Sequence, residues 1–139
     1  KQNGSHKISP YLFSHFRNGN VQFVISQGDD KFQNGEKYRG TRCSAKLNNY
    51  FGRWVLLTGT YSHSAEVMKL FLDDKQVDEQ KAKFNVNTCN SHPIVIGGYL
   101  QHNHVRHRFK GSVDDLRIYS RALPLEEIVQ LYNRDKTSE

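Results

Sequence analysis

The stretch 109–132 constrains the fold most, because it joins a β-strand pattern to a helix pattern across a short turn. Phe109, Gly111 and Val113 alternate with polar residues, which is the period of a strand with one buried face. The apolar positions shift by one residue after the Asp114–Asp115 pair, so a continuous strand needs a bulge or a twist there. We therefore expect a strand that is irregular at the two aspartates.

The residues after this strand predict one short α-helix. Pro124 suits the first helical turn, and two early glutamates and one late arginine suit the helix dipole. The apolar residues fall close to helical spacing at Leu123, Ile128, Leu131 and Tyr132. The chain is thus expected to end in a single helix.

Upstream of this stretch, apolar alternation and turn signals predict strands only. The expected strands and hairpins are 8–15, 21–26, 38–47, 54–60 and 67–77. Trp54, Phe71 and Tyr119 are expected to pack in the core, and the run 94–96 is expected to be buried.

Four segments resemble a known family in the same order. They are RWVLLTGTYS, MKLFLDDKQV, PIVIGGY and FKGSVDDLRIYSRALPLEEIVQLY, and together they are similar to the laminin-G-like domains of concanavalin A-like fold. The resemblance implies an all-β, two-sheet antiparallel jelly-roll sandwich with one short C-terminal helix. Two positions depart from the family. Pro124 stands where a Ser or Thr usually opens the helix, and Asp73-Asp74-Lys75 replaces an Asp-Gly turn.

The length suits one domain, since 139 residues can bury a core but are too few for two. We expect 1–139 to be a single laminin-G-like domain. Family members begin with one or two strands before the equivalent of Tyr11–Ser14, and no such pattern precedes it here. The chain is therefore expected to lack the family's first strand or two and to be a fragment of a larger polypeptide.

The net charge of the chain indicates which class of partner it can bind. The chain carries 20 Lys and Arg against 14 Asp and Glu, a net charge of +6. This balance favours anionic partners, such as acidic glycans or glycoproteins. No apolar run is long enough for a membrane span, and no recognition element for nucleic acid can be read from the pattern. We expect a secreted, extracellular protein whose leader has been removed.

The two cysteines, Cys43 and Cys89, allow one pairing. Because the chain is expected to be extracellular, we predict a disulfide between them. The alternative is two free thiols that behave as small buried apolar residues.

The carboxylate pattern does not predict an enzyme. Glucanases of this architecture use two carboxylates on alternate residues of one strand. Here Asp73 and Asp74 fall at a turn, Asp78 and Glu79 are adjacent, and other acidic residues lie in the helix. No Ser, His and acid constellation is marked either. A binding role without catalysis is therefore expected.

One polar loop is a candidate calcium site. Asp29, Asp30 and Asn34 offer the oxygen ligands that Ca²⁺ prefers, and laminin-G-like domains often bind calcium at a loop rim. The alternative is ordinary turn formation by Asp and Asn. The Asp114–Asp115 pair is a weaker calcium candidate, because such side chains more often satisfy backbone donors at an irregular strand.

A basic and aromatic loop is the candidate carbohydrate site. Sugar sites combine an aromatic face with amide or guanidinium donors. Because antiparallel strands alternate in direction, the turns 17–20 and 48–52 should share one rim with this loop. The candidate residues are Tyr99, His102, Asn103, His104, Arg106 and Arg108, completed by Asn48 and Tyr50. The alternatives are a solvated basic loop, a transition-metal pair at His102 and His104, and core packing of the aromatic rings.

These features favour a non-catalytic, lectin-like recognition or adhesion module that binds a glycan or glycoprotein. The main alternative is a protein–protein interaction or structural module of a larger secreted protein, and glycan cleavage is a third. The fold alone does not decide between these functions.

Overall fold

The protein forms two three-stranded antiparallel sheets, a two-stranded hairpin and a C-terminal helix. The structure is a computed structural model and describes residues 11–15, 19–26, 40–83, 94–101, 104–106 and 108–136. The first sheet contains β1 (Tyr11–His15), β2 (Asn20–Ser26) and β3 (Gly40–Lys46). The second contains β4 (Leu57–Ser62), β5 (Val67–Leu72) and β6 (Lys75–Lys81), and the hairpin contains β7 (Tyr99–Gln101) and β8 (His104–Arg106). The predicted all-β class with a short C-terminal helix is confirmed.

Two predicted hairpins organise the sheets. β1 and β2 pair with Phe13 opposite Phe23, and the two rings stack at a centroid distance of 4.9 Å. β5 and β6 pair across the turn at Asp73, as predicted, although β6 continues to Lys81 instead of ending at Val77. Each sheet is thus built by neighbouring segments of the chain, as short connections between antiparallel strands favour.

Alternating side chains of the two sheets form the main core. Gly59 of β4 lies so close to the Phe23 ring of the first sheet that an added Cβ would come within 2.6 Å of it. The sheets therefore pack face to face, as period-two alternation predicts. The buried residues of this core are Val21, Phe23, Ile25, Cys43, Met68, Leu70, Leu72 and Ala82.

The helix α1 (Leu125–Lys136) covers the opposite face of the second sheet. Phe71 points away from the main core and packs with Leu123 and Ile128 in a second buried cluster. Acidic residues occupy the first turn and basic residues the last, which suits the dipole and confirms the predicted helix. No helix within the described residues has the length and apolar character that crossing a bilayer would require.

The strand predicted to begin at Phe109 is not formed. Residues 108–119 contain no strand, and Phe109, Val113 and Ile118 are exposed, Ile118 to 71%. Within these residues, the backbone hydrogen bond to another segment runs from Phe109 N–H to Gly97 O at 2.9 Å. The prediction was wrong because alternation supplies only strand propensity, and a strand forms only against a partner.

Three further burial predictions are wrong. The run Ile94–Ile96 and Tyr119 are exposed, because both belong to segments outside the two sheets. Trp54 is exposed as well, because β4 begins only at Leu57 and the residues before it form a loop. Phe71, by contrast, is buried as predicted.

The irregularity predicted at the two aspartates is present. Asp115 has a φ of 52°, and its N–H donates to the Asp114 carboxylate at 2.8 Å. Arg117 donates to both Asp115 and Asp135, which ties this segment to α1. Asp114 thus satisfies a backbone donor, which is the simpler of its two predicted roles.

Candidate functional site

The aromatic loop, residues 48–54, lies at one end of the sandwich and opens with a 3₁₀ turn, Asn48–Tyr50. Leu47 N–H donates to Gly19 O at 2.8 Å, which places the loop beside the turn before β2. Gly19 has a φ of 78°, and a Cβ at that position would lie 2.5 Å from Asn48 Oδ1. The described end of the turn 17–20, at Gly19, therefore lies on the same rim as the loop 48–52, as predicted.

Three aromatic rings dominate this loop. Phe51 and Trp54 are 62% and 55% exposed, whereas Tyr50 is half-buried against the main core. Asn48 and Asn49 are exposed in the same loop and offer amide donors and acceptors. Exposed rings and amides in one short loop form the composition that sugar sites use.

A buried carboxylate holds the loop. Asp73, in the turn between β5 and β6, accepts from Arg53 Nη2 at 2.6 Å and from Leu56 N–H at 3.1 Å. Asp73 N–H also donates to Leu56 O at 2.8 Å. Arg53 donates through Nη1 to Trp54 O at 2.8 Å and lies over the Tyr50 ring, 4.8 Å from its centroid. These contacts connect both ends of the Trp54 segment to the second sheet.

Arg53 keeps its charge in this setting. Its hydrogen bond to Asp73 raises the pKa of the guanidinium above the ordinary value, although partial desolvation opposes the shift. Asp73 is only 5% exposed. The Arg53 side chain is 45% exposed, so removing Arg53 would leave the buried Asp73 carboxylate without its charged partner, whereas removing Asp73 would leave Arg53 in contact with water.

The structure brings part of the predicted sugar site together. Asn48 and Tyr50 lie in the aromatic loop. Arg108 is exposed, and among the described residues no hydrogen bond or ion pair joins it to that loop. The β7–β8 hairpin contains the described backbones of Tyr99, His104 and Arg106, whereas His102 and Asn103 lie outside the described residues. The hairpin part of the site stays a prediction.

The predicted calcium site also stays a prediction, because Asp29, Asp30 and Asn34 lie outside the described residues. Where the structure is described, no three His, Cys, Asp or Glu side chains come together in a way that could hold a metal ion. The Asp78 carboxylate of β6 accepts a hydrogen bond from Ser44 N–H of β3 at 2.8 Å, and this bond joins the edges of the two sheets.

The structure does not show the predicted disulfide between Cys43 and Cys89. Cys43 is a free thiol that projects from β3 into the main core, 3.5 Å from Met68 O. Its burial, reinforced by the negative charge of Asp78, raises the pKa of the thiol to about 12. Cys89 lies outside the described residues. Cys43 thus behaves as a small buried apolar residue, the alternative that the sequence left open.

Three side chains that shape the aromatic loop had no predicted role in binding: Arg53, Trp54 and Asp73. Strand parity was an available signal for Trp54. Side chains on one face of a strand are two residues apart. Val55 and Leu57, at steps of two from Gly59, pack against the main core, so Trp54 is expected on the other face. The contact between Arg53 and Asp73 joins positions twenty residues apart, and no local pattern indicates it.

The two facing sheets and the rim loop define a β-sandwich of the concanavalin A-like class. A family model described as the concanavalin A-like lectin/glucanases superfamily, of laminin-G type, matches residues 2–129. The chain therefore belongs to this laminin-G-like family.

One solved structure with a similar fold is that of residues 221–444 of an S-layer domain-containing protein from Clostridium thermocellum ATCC 27405. The TM-score is 0.52 and the identity 19%, over 88% of this chain. The chain spans 55% of the length of that structure. At this identity the similarity shows the fold alone. No curated protein matches the chain.

Proposed function

We propose that this chain is a non-catalytic carbohydrate-recognition module and that the aromatic loop contacts the sugar. The observation that carries the proposal is the exposure of Phe51 and Trp54 on a loop tied to the sandwich by a buried carboxylate. A large ring kept in water forgoes the free energy that burial provides, so fixed exposed rings are typical of contact sites. The superfamily includes lectins, which supports the same role.

The chemistry of the loop suits a sugar ring. Trp54 or Phe51 can lie against the face of the ring, where its C–H groups point, while Asn48 and Asn49 exchange hydrogen bonds with its hydroxyl groups. A loop that is already held by hydrogen bonds loses less conformational entropy on binding. The predicted basic residues of the β7–β8 region would add a contact for an anionic glycan or glycoprotein.

Two engaged carboxylates support a role without catalysis. Glycosidases place two carboxyl groups about 5–9.5 Å apart beside the scissile bond, as acid and base in inverting enzymes and as acid/base and nucleophile in retaining ones. Asp73 accepts from Arg53 and Leu56, and Asp78 accepts from Ser44, so both carboxylates already have structural partners in the fold. Release of reducing sugar from a polysaccharide, lost on Asp78→Asn, would contradict this part of the proposal.

An extracellular or cell-surface location is part of the same proposal. The solved structure of similar fold is named as an S-layer domain-containing protein, and glycans are abundant outside cells. Calcium at Asp29, Asp30 and Asn34 stays a proposal as well. It predicts that Ca²⁺ raises the melting temperature of the chain and that Asp29→Asn with Asp30→Asn removes this increase.

A glycan array probed with matched variants tests the function. We expect binding to at least one glycan class, and about tenfold or greater loss on Trp54→Ala, since truncating an aromatic anchor at a binding site commonly costs 2 kcal/mol or more. Ile118→Ala is the matched control, because that side chain is also exposed and apolar but lies in another segment. An array signal that Trp54→Ala and Ile118→Ala leave equally unchanged would exclude the aromatic loop as the site.

A second candidate function is protein–protein interaction within a larger secreted protein. The observation that favours it is the exposure of Phe109, Val113, Leu116 and Ile118 in one segment, because contiguous apolar exposure is typical of protein contact surfaces. Binding to immobilised glycoproteins before and after enzymatic deglycosylation separates the two functions. Binding that survives deglycosylation and is lost on Val113→Ser with Ile118→Ser would favour the protein partner.

A further inference from the structure

We propose that Asp73 is the positioning residue of the aromatic loop. Because its negative charge balances the positive charge of Arg53, Asp73 also makes the loop selective for uncharged sugars. The ligand part of this inference rests on the proposed function. The positioning part does not, since it concerns the loop in the unliganded protein.

Asp73 contacts the chain on both sides of Trp54. One carboxylate oxygen accepts from Arg53, the residue before Trp54, and the other accepts from Leu56 N–H, two residues after it. The Asp73 N–H donates to Leu56 O, which makes a third contact. Asp73 lies in the tight β5–β6 turn with a φ of 58°, and its side chain is buried. From this position its carboxylate reaches both Arg53 and Leu56. The carboxylate therefore determines where the Trp54 ring points.

Arg53 extends this effect to the rest of the loop. Its Nη1 donates to Trp54 O, and its guanidinium plane lies over the half-buried Tyr50 ring. Arginine can make these contacts together because its donors form a rigid, planar fork. Loss of Asp73 would free this fork to rotate, so that Trp54 O and the Tyr50 ring would both lose their contact with Arg53.

The same ion pair sets the charge of the surface. Arg53 is the one charged residue between positions 47 and 56, and its nearest described carboxylate, Asp73, lies at 2.6 Å. The aromatic loop with Asp73 therefore carries no net charge. A sulfate or uronate group gains little from a cation that is already paired, whereas an uncharged sugar needs only the ring face and the amides. We expect neutral glycans to be preferred at this loop, although the whole chain is basic.

Trp54 is the single tryptophan of the chain, so its fluorescence reports on the loop directly. The test compares quenching by acrylamide, which is neutral, with quenching by iodide, an anion. Asp73→Asn removes the charge but keeps an oxygen for Leu56 N–H, and asparagine tolerates a positive φ. Asp74→Asn is the matched control, since it removes the same charge from the adjacent exposed residue of the turn.

We expect Asp73→Asn to increase quenching by both agents and iodide quenching by more, because Trp54 becomes looser and Arg53 becomes unpaired. Asp74→Asn should match the native protein. Equal quenching in the two variants would overturn the positioning role. If Asp73→Asn does not fold, Arg53→Lys replaces it, because lysine keeps the charge but cannot reach Asp73 and Trp54 O together. Arg53→Lys should then increase acrylamide quenching, and an unchanged value would overturn the proposal.

The ligand class is tested by titrating Trp54 fluorescence with maltopentaose, cellopentaose and a heparin hexasaccharide. We expect a neutral probe to bind best at the native aromatic loop, where the change in Trp54 fluorescence reports binding. Asp73→Asn should bind that probe about three- to tenfold more weakly, as the loop must then be ordered on binding, and should gain affinity for heparin. Tighter binding of heparin to the native loop would overturn the ligand class. If no sugar changes the fluorescence, the proposed function and the ligand class both fail, while the quenching result still decides the positioning role.

Discussion

At the residue scale, the contact between the two sheets depends on Gly59. This residue lies in β4 directly beneath the Phe23 ring, and Phe23 is itself buried in the main core. A side chain at position 59 would occupy the space that the ring fills. Glycine is therefore needed here for its size, and not for an unusual backbone conformation.

Gly59→Ala is expected to destabilise the fold by about 1–3 kcal/mol, as overpacking of a core usually does. Urea unfolding measures the effect. Gly111→Ala is the matched control, since its added Cβ would also meet a phenylalanine ring, that of Phe109, at 2.7 Å. Phe109 is 43% exposed whereas Phe23 is buried, so this control should reduce the stability by less than Gly59→Ala does. Equal losses in the two variants would contradict the face-to-face packing.

Cys43 supports a second prediction at this scale. Burial raises the pKa of its thiol to about 12, and only the thiolate reacts with alkylating reagents. We therefore expect iodoacetamide at about pH 8 to leave Cys43 unlabelled in the folded protein and to label it after unfolding in guanidinium chloride. Peptide mass spectrometry distinguishes it from Cys89. A cross-linked peptide containing both cysteines would instead establish the disulfide.

At the element scale, α1 is held by apolar contacts and by two sets of ion pairs, the Arg117 network and the Arg121–Glu127 pair. Phe71 of β5 packs with Leu123 and Ile128, and the Arg117 guanidinium bridges Asp115 and Asp135. The apolar contacts cover the outer face of the second sheet. The Arg117 network connects the end of the helix to the segment that precedes it. Because this network contains carboxylates and the apolar cluster does not, the contribution of the network to stability depends on pH.

The Arg117 hydrogen bond lowers the pKa of Asp135 below its ordinary value. A lowered carboxyl pKa in the folded state adds stability above the ordinary pKa of roughly 4, and this stability is lost as pH falls through the folded pKa. Because Asp135 is partly exposed, the contribution should be at most about 1 kcal/mol.

Asp135→Asn is accordingly expected to lower the free energy of unfolding at neutral pH and to have little effect near pH 2. Denaturant unfolding at both pH values measures it. Asp74→Asn, at an exposed position of the β5–β6 turn and outside the helix, is the control and should show no comparable pH-dependent loss. A deficit in Asp135→Asn that is the same at both pH values would show that the carboxylate charge is not responsible.

At the scale of the whole molecule, the described chain has three layers: the first sheet, the second sheet and α1. The end of β5 is buried on both faces of the second sheet, with Leu70 and Leu72 in the main core and Phe71 in the cluster against the helix. The aromatic loop lies at the end of this arrangement and is joined to the second sheet through Asp73. The packing of these layers therefore stabilises the fold and also holds in place the turn to which the aromatic loop is attached.

Phe71→Ala is expected to cost about 3–5 kcal/mol of the free energy of unfolding, since it leaves a cavity between the second sheet and the helix. Phe51→Ala should cost no more than about 0.5 kcal/mol, because that ring is mostly exposed. Thermal unfolding followed by circular dichroism measures both. If Phe71→Ala melted α1 separately and left the sheets at their original melting temperature, the helix would not be part of one cooperative unit.

The sequence by itself determined the local elements of this protein. Period-two alternation at 21–26 and 67–72, with turn residues between strands, predicted the hairpins, and Pro124 with the spacing of Leu123 and Ile128 predicted the helix. Such signals are local because they arise from backbone geometry and from neighbours one turn or one strand away. The family resemblance followed from these same segments.

The tertiary structure decided which apolar residues are covered and how the candidate site is held. The pattern at 109–118 has the period of a strand but lacks a partner strand among the described residues. The residues on either side of Trp54, Arg53 and Leu56, are held by Asp73, far along the chain. Two of the eight predicted site residues, Asn48 and Tyr50, lie in the aromatic loop, and the alternating direction of antiparallel strands was enough to place them at this rim. Burial and ion pairing depend on which distant segments come into contact, and a local sequence pattern does not specify those contacts.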